Sequence, residues 1–171
     1  MNIFILGTTP ESSARAHCDQ HLHKMILESA QIVSTALRLR GWNREWLYKS
    51  THISHPCVLW AASSNHNILY VIELADELRR IREELDCPPH ASSEVIKYAQ
   101  DYLAGEVPFA SSYLATDFAL AMPLHIRARS DIDTVGKYQA YYREKNKNWT
   151  ALDNKPMTWK NRPVPEFMNI T

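Results

Sequence analysis

Between residues 13 and 39 the apolar positions return every three or four residues. Leu22, Met25, Ile26, Ser29, Ile32, Val33, Ala36 and Leu37 cover about half the circumference of a helix, which predicts one amphipathic helix here. Ser12 or Ser13 is a good cap type at its start, and Gly41 follows its end near Leu39. The period returns from Pro56, a residue suited to a first turn, to about Leu85, with Val58, Ile68, Ile72, Ala75, Leu78 and Ile81 on the core side. A third helix is expected from about Glu94 to Ala104. A fourth is expected from Ser130, with Asp133 as its capping-box partner, to about Lys147. The stretch "GWNREWLYKSTHISHP" and residues 106–130 read as loops. The last segment, "NKPMTWKNRPVPEFMNIT", holds three prolines and reads as an extended tail laid on the body by Trp159 and Phe167. Only "NIFIL" has strand character, and it has no partner strand. The expectation is an all-α fold. It comprises a single compact domain over 1–171 with about four helices, an extended C-terminal tail and a basic, aromatic segment over 136–171.

Composition narrows the class without naming a chemistry. The chain of 171 residues is 45% apolar and 22% charged, an ordinary globular balance. Its formal net charge is zero, so any affinity for a polyanion has to come from local charge. Cys18, Cys57 and Cys87 are odd in number and scattered, which suits free thiols in a reducing compartment. The start "MNIFILGTTPESS" has neither the basic region of a signal peptide nor the length of a membrane span, so a cytoplasmic protein is expected.

Two constellations carry possible chemistry. His17, His21, Lys24, Glu28 and Gln31 follow one another at spacings of four, three, four and three, with Thr35 next, so they share one helix face beside the apolar arc. A stripe at that border is placed to line a cleft. It fits three readings. It is a polar border whose histidines are hydrogen-bonded, or a zinc site in which His17, His21 and Glu28 are joined by His52, His55 or His66. The third reading is a catalytic carboxylate flanked by His and Lys. The spacing matches no standard zinc signature. Residues 137–162 hold seven Lys and Arg against Glu144 and Asp153, a local charge of plus five, with Tyr138, Tyr141, Tyr142, Trp149 and Trp159 interleaved. Such a segment can neutralise phosphates and stack on bases, or it can be a solvated helix with aromatic residues in the core. Acidic residues gather elsewhere (Glu73, Asp76, Glu77, Glu83, Glu84, Asp86), so the molecule is two-faced.

The stretch "CDQHL", with Glu28 nine residues after Asp19, resembles the corresponding helix of the phage pyrimidine-dimer DNA glycosylase (endonuclease V) family. "HISHPCVLW" with "HNILYVIEL" resembles that family's second long helix, and "KYQAYYREK" its Tyr-rich C-terminal segment. The wording "MNIF…H.D.H..KMI.E.AQ…HP…W" is similar to a phage branch of the same family. The resemblance covers roughly the first half of the chain and one C-terminal stretch. It implies a phage-type DNA-processing enzyme, an N-glycosylase with coupled lyase activity. The family's nucleophile is the α-amine of the chain, and its Glu at the offset of Glu28 is catalytic. Asn2 is too large for efficient removal of Met1, so Met1 would carry that amine. α-Amines titrate at about 7.7–8.0, so an appreciable fraction is unprotonated near neutral pH and able to form a Schiff base.

The resemblance therefore implies Met1, Glu28 and His21 as catalytic residues. Together with the helix-face stripe and the basic, aromatic segment, it gives Asn2, His17, Gln20, Lys24, Gln31, His52, His55, His66, Lys137, Tyr138, Tyr141, Tyr142 and Arg143 as candidate DNA- or substrate-binding residues. No metal and no cofactor is expected, DNA is the expected partner, and a monomer in a phage-infected bacterial host is the expected form. The family's arginines at the second position, just before the Glu and three after it are Asn2, Leu27 and Gln31 here, which leaves the target base or lesion open. Two other readings stay beside this one. One is a transferase that attaches a small amine or amino acid to an activated 5-methyl-pyrimidine in DNA. The other is a non-catalytic DNA-binding protein.

Overall fold

A computed structural model describes residues 1–104 and 117–170. Among these the fold is all-α. The elements are α1 (Pro10–Ala16), α2 (Asp19–Leu39), α3 (Pro56–Ser63), α4 (Asn65–Glu84), α5 (Ser93–Ala104), α6 (Leu124–Arg127) and α7 (Thr134–Asp153), followed by a 3-10 turn at Glu166–Asn169. The first expected helix is thus two. Thr9, not Ser12 or Ser13, caps α1: its hydroxyl accepts from the Ser12 N–H while Pro10 occupies the first turn. The chain then leaves the helix at His17, which is extended.

The C-terminal tail makes that break possible. Carbonyls freed at the end of α1 accept from it: Arg15 O from Arg162 Nη1 at 3.2 Å, Ala16 O from Trp159 Nε1 at 3.1 Å, His17 O from Arg162 Nη2 at 2.8 Å. Asp19, at the start of α2, accepts from Lys160 N at 2.7 Å, Thr158 Oγ1 at 2.9 Å and Arg162 Nη2 at 2.8 Å. Trp159 and Phe167 are buried, so the tail lies on the body as expected.

The second expected helix is also two. Ser64 is extended and caps α4 by accepting from Asn67 N at 3.1 Å. Helix α5 lies where expected. Asp133 is itself the cap of α7, accepting from Gly136 N at 2.7 Å, and the helix continues to Asp153, ended by left-handed Asn154. Helix α6 falls in a stretch expected to be loop, and residues 106–116 of that loop lie outside the described residues.

Helix α2 is central, packing on α3, α4 and α5, with α1 against α4. One apolar cluster runs through all of them. "NIFIL" forms no strand and pairs with none. Its backbone N–H groups find side chains instead: Ile3 and Phe4 donate to Asn2 Oδ1 at 2.8 and 3.1 Å, and Leu6 donates to Ser13 Oγ at 2.7 Å. Ile3 and Ile5 are fully buried, and burial of such a side chain is worth ~1.5–3 kcal/mol, enough to hold the first residues in place. Gly7 lets this segment turn into α1, because a Cβ there would lie 2.3 Å from Ser12 Oγ. No helix among the described residues is long and apolar enough to cross a membrane.

Candidate active site

The buried N-terminal segment runs between α2 and α7. Its Phe4 ring stacks on His21 of α2 at 4.9 Å and on Tyr141 of α7 at 5.8 Å. Helix α2 presents His21, Lys24, Met25 and Glu28 to the segment, and α7 presents Tyr141 and Lys145. Together with Met1, Asn2 and Phe4 they enclose a pocket of about 90 Å³. The Met1 side chain is an anchor, only 2% exposed. Its α-amine lies 3.6 Å from Glu28 Oε2. The Asn2 N–H donates to the same oxygen at 2.8 Å, and Lys24 Nζ stands 3.6 Å from Oε1. Glu28, 8% exposed, therefore has an amine or amide N–H facing each of its oxygens.

Asn2 fastens this arrangement. Its Oδ1 takes the two backbone bonds given above, and its Nδ2 donates to Ala121 O at 2.7 Å. Phe4 sits in the left-handed region at φ 37°, a conformation that costs a non-glycine residue on the order of 1–3 kcal/mol. The Asn2 bonds and the ring stack hold it there. The strained residue lines the same pocket as the amine.

Burial holds His21, Tyr142 and Cys57 around the pocket in their neutral forms. Burial, followed by the charges of His17, Lys145 and Lys24, pushes His21 well below the usual imidazole range. Its Nδ1 lies 2.7 Å from the Tyr142 hydroxyl, which also accepts from Cys18 N at 3.0 Å. Burial drives the Tyr142 phenol well up, so it stays protonated. Burial likewise holds Cys57, behind Ile3, up at about 12. Lys145 is lowered by partial burial and then by the charge of Lys24, while Glu28 opposes the shift. His55 is lowered by burial first and then by the charge of the N-terminal amine. That coupling puts His55 within electrostatic reach of Met1. Its Nδ1 accepts from Cys57 N at 3.2 Å, capping α3, so the ring proton of neutral His55 is on Nε2.

The structure sorts the expected site residues. Met1, Asn2, His21, Lys24, Glu28 and Tyr141 meet at one pocket, while His55 is outside its lining and feels only the charge of the amine. His17, Tyr138 and Tyr142 are instead fully buried core groups, closed to a ligand. His17 Nδ1 donates to Ser13 O at 2.7 Å, and the Tyr138 hydroxyl donates to Ala119 O. Gln20 and Arg143 are tail fasteners. Gln20 Nε2 donates to Pro156 O at 3.0 Å, and Arg143 Nη1 donates to Phe167 O at 3.1 Å. Arg143 and Arg162 are therefore already committed within the local plus five. His52 is exposed on its loop, beside Thr51 Oγ1 at 2.7 Å, and His66 is exposed at the start of α4. His23 points away from the pocket, against His90 at 4.4 Å. Gln31 is half-buried past Glu28, and Lys137 lies outside the pocket lining.

Lys145 is the residue that sequence reasoning passed over. Its spacing of seven from Tyr138 and four from Tyr141 was the available signal. Among the described residues no three His, Cys, Asp or Glu side chains converge in a way that could hold a metal ion. A larger hollow of about 660 Å³ borders α2, α4 and α5, where Asp76 holds both Arg79 and Arg80, at 2.8 and 3.2 Å. No family model, no curated protein and no solved structure matches this chain.

Proposed function

We propose that this chain is a DNA-processing enzyme of the imine type, an N-glycosylase and abasic-site lyase. Its nucleophile is the Met1 α-amine and its proton-handling group is Glu28. One observation carries the reading: a free amine held 3.6 Å from a nearly buried carboxylate at the mouth of a pocket. A carboxylate so placed can take the ammonium proton and stabilise the cation that follows.

The steps balance without a cofactor. The amine lone pair bonds to the sugar C1′. On an intact nucleotide the C1′–base bond breaks, the base leaves with that electron pair and gains a proton, and the C1′–O4′ bond then opens, its electron pair and a proton going to O4′. On an abasic sugar the C1′ carbonyl oxygen leaves as water. Either route gives an iminium linking Met1 to C1′. Loss of a C2′ proton, for which Glu28 is the base, then expels the C3′ phosphate with the electron pair of its C–O bond. Water finally releases the product and restores the amine. Neutral His21 and His55 add no positive charge that would compete with the iminium for Glu28. The exposed cations Lys147, Lys155 and Lys160 suit a strand outside the pocket.

Incubation with duplex DNA containing one abasic site, with and without borohydride, tests this. The expected result is strand cleavage without borohydride and a covalent protein–DNA adduct with it. Absence of both refutes the proposal. A mass gain on DNA carrying activated 5-methyl-pyrimidine, with no adduct, would instead support the transferase reading.

A further inference from the structure

The pocket carries more positive charge than imine chemistry uses. Three amines border it, those of Met1, Lys24 and Lys145, against the single carboxylate of Glu28. Lys145 has no carboxylate partner among the described residues. Its Nζ rests over the Trp149 ring, 4.9 Å from the centroid. The adjacent carboxylate on α7, Glu144, is turned to His125 at 2.6 Å. A half-buried cation with no carboxylate in ion-pair contact, and with the nearest one, Glu28, already shared with two other amines, is costly, and a negatively charged ligand relieves that cost. Size narrows the ligand further. A volume of about 90 Å³ is roughly three waters' share of liquid, well under the several hundred Å³ of a site for a drug-sized molecule. It suits one small tetrahedral anion beside the aldehyde end of a sugar.

We propose that Lys24 on α2 and Lys145 on α7 form a phosphate subsite flanking Glu28, which grips the phosphate next to the sugar whose C1′ meets the Met1 amine. The inference rests on the proposed function and deepens it, since it names a phosphate-bearing aldehyde as the substrate class. Two ammonium groups on separate helices bracket a phosphate as point charges. Lys145 would leave the face of Trp149 to do so.

Two experiments on the full chain test it. In the first, inorganic phosphate is titrated against a chloride control of equal ionic strength, and tryptophan fluorescence is followed. Saturable binding is expected, with the half-saturating concentration at least tenfold higher in Lys145→Gln and in Lys24→Gln, each checked for unchanged circular dichroism. No saturable change, or variants that bind as the parent does, overturns the subsite.

In the second, the protein is trapped by cyanoborohydride with 2-deoxyribose or with 2-deoxyribose 5-phosphate, and intact mass is read. The phosphorylated sugar should be trapped at a concentration at least tenfold lower, and Lys145→Gln should bring the ratio near one. Equal trapping of both sugars by the parent removes the subsite and leaves the amine reading standing. Phosphate binding that depends on both lysines, with neither sugar trapped, keeps the subsite and removes the amine reading. An abasic oligonucleotide that displaces phosphate more tightly than the free sugar phosphate does assigns the phosphate to a DNA strand. The reverse order assigns it to a small molecule.

Discussion

Acid should destabilise this protein in a pH window set by its buried histidines, and His17 provides the cleanest test. Its ring is fully buried, Nδ1 donates to Ser13 O, and Nε2 has no partner. A proton on Nε2 would place an unpaired N–H and a charge in the core, close to Arg162. Burial accordingly pushes His17 down to about 4 from an ordinary 6.5. In the unfolded chain the same ring takes its proton near 6.5. Between those values unfolding takes up a proton, so the stability from neutral His17 is fully present above about 6.5 and is lost as pH falls toward about 4. At about 1.4 kcal/mol per pH unit the window corresponds to about 3 kcal/mol, a large share of the ~5–15 kcal/mol typical of a domain.

His21 acts in the same direction. Asp19, held below the usual carboxylate range by its bonds to Arg162, Lys160 and Thr158 despite its partial burial, loses its contribution only at lower pH, so the window reports the histidines. Urea unfolding followed by far-ultraviolet circular dichroism at several pH values from about 7 to about 4.5 measures the slope. His17→Gln keeps a donor for Ser13 O but does not titrate. It should be less stable than the parent at neutral pH, with a slope through the window shallower by about one proton. A flat parent profile, or an unchanged slope in the variant, would refute the reasoning.

Glu28→Gln should reduce abasic-strand cleavage by about a hundredfold or more, the scale of a lost acid–base group, with DNA affinity kept; near-normal turnover would remove Glu28 from the chemistry. Arg162→Ala should lower stability by about 2–4 kcal/mol, because it uncaps two carbonyls and leaves Asp19 without its cation, and a change under about 0.5 kcal/mol in denaturant unfolding would show that the tail clamp is unimportant. Replacing Lys147, Lys155 and Lys160 together by Ala should flatten the salt dependence of DNA binding by up to about three ions, and an unchanged slope would move the nucleic-acid face elsewhere.

The all-α architecture was legible because its helices carry strong apolar periods. The breaks inside them were not. Local signals at residues 16–19 favour a continuous helix, and only bonds from Trp159 and Arg162, more than 140 residues away, satisfy the carbonyls that the break exposes. Ser64 was a readable cap in "SSNHN", hidden by the apolar period running through it. The stripe of His21, Lys24 and Glu28 was readable from spacing. Which histidine faces the pocket and which the core was not, because that depends on where the N-terminal segment threads. Aromatic residues interleaved with cations looked like a stacking surface, yet Tyr138 and Tyr142 turn inward at a spacing of four, while Tyr141 and Lys145, also four apart, line the pocket. Burial, not composition, separates the two pairs.

The central claim is that the chain's first nitrogen is the reacting atom, and the position of the trapped adduct tests it most directly. The protein is reduced with borohydride on abasic DNA, digested with nuclease and protease, and the modified peptide is sequenced by mass spectrometry. The account predicts a reduced sugar fragment on the α-nitrogen of Met1, and no adduct once that nitrogen is acetylated. An adduct on Lys145 or Lys24, or full strand cleavage by the acetylated protein, would contradict it.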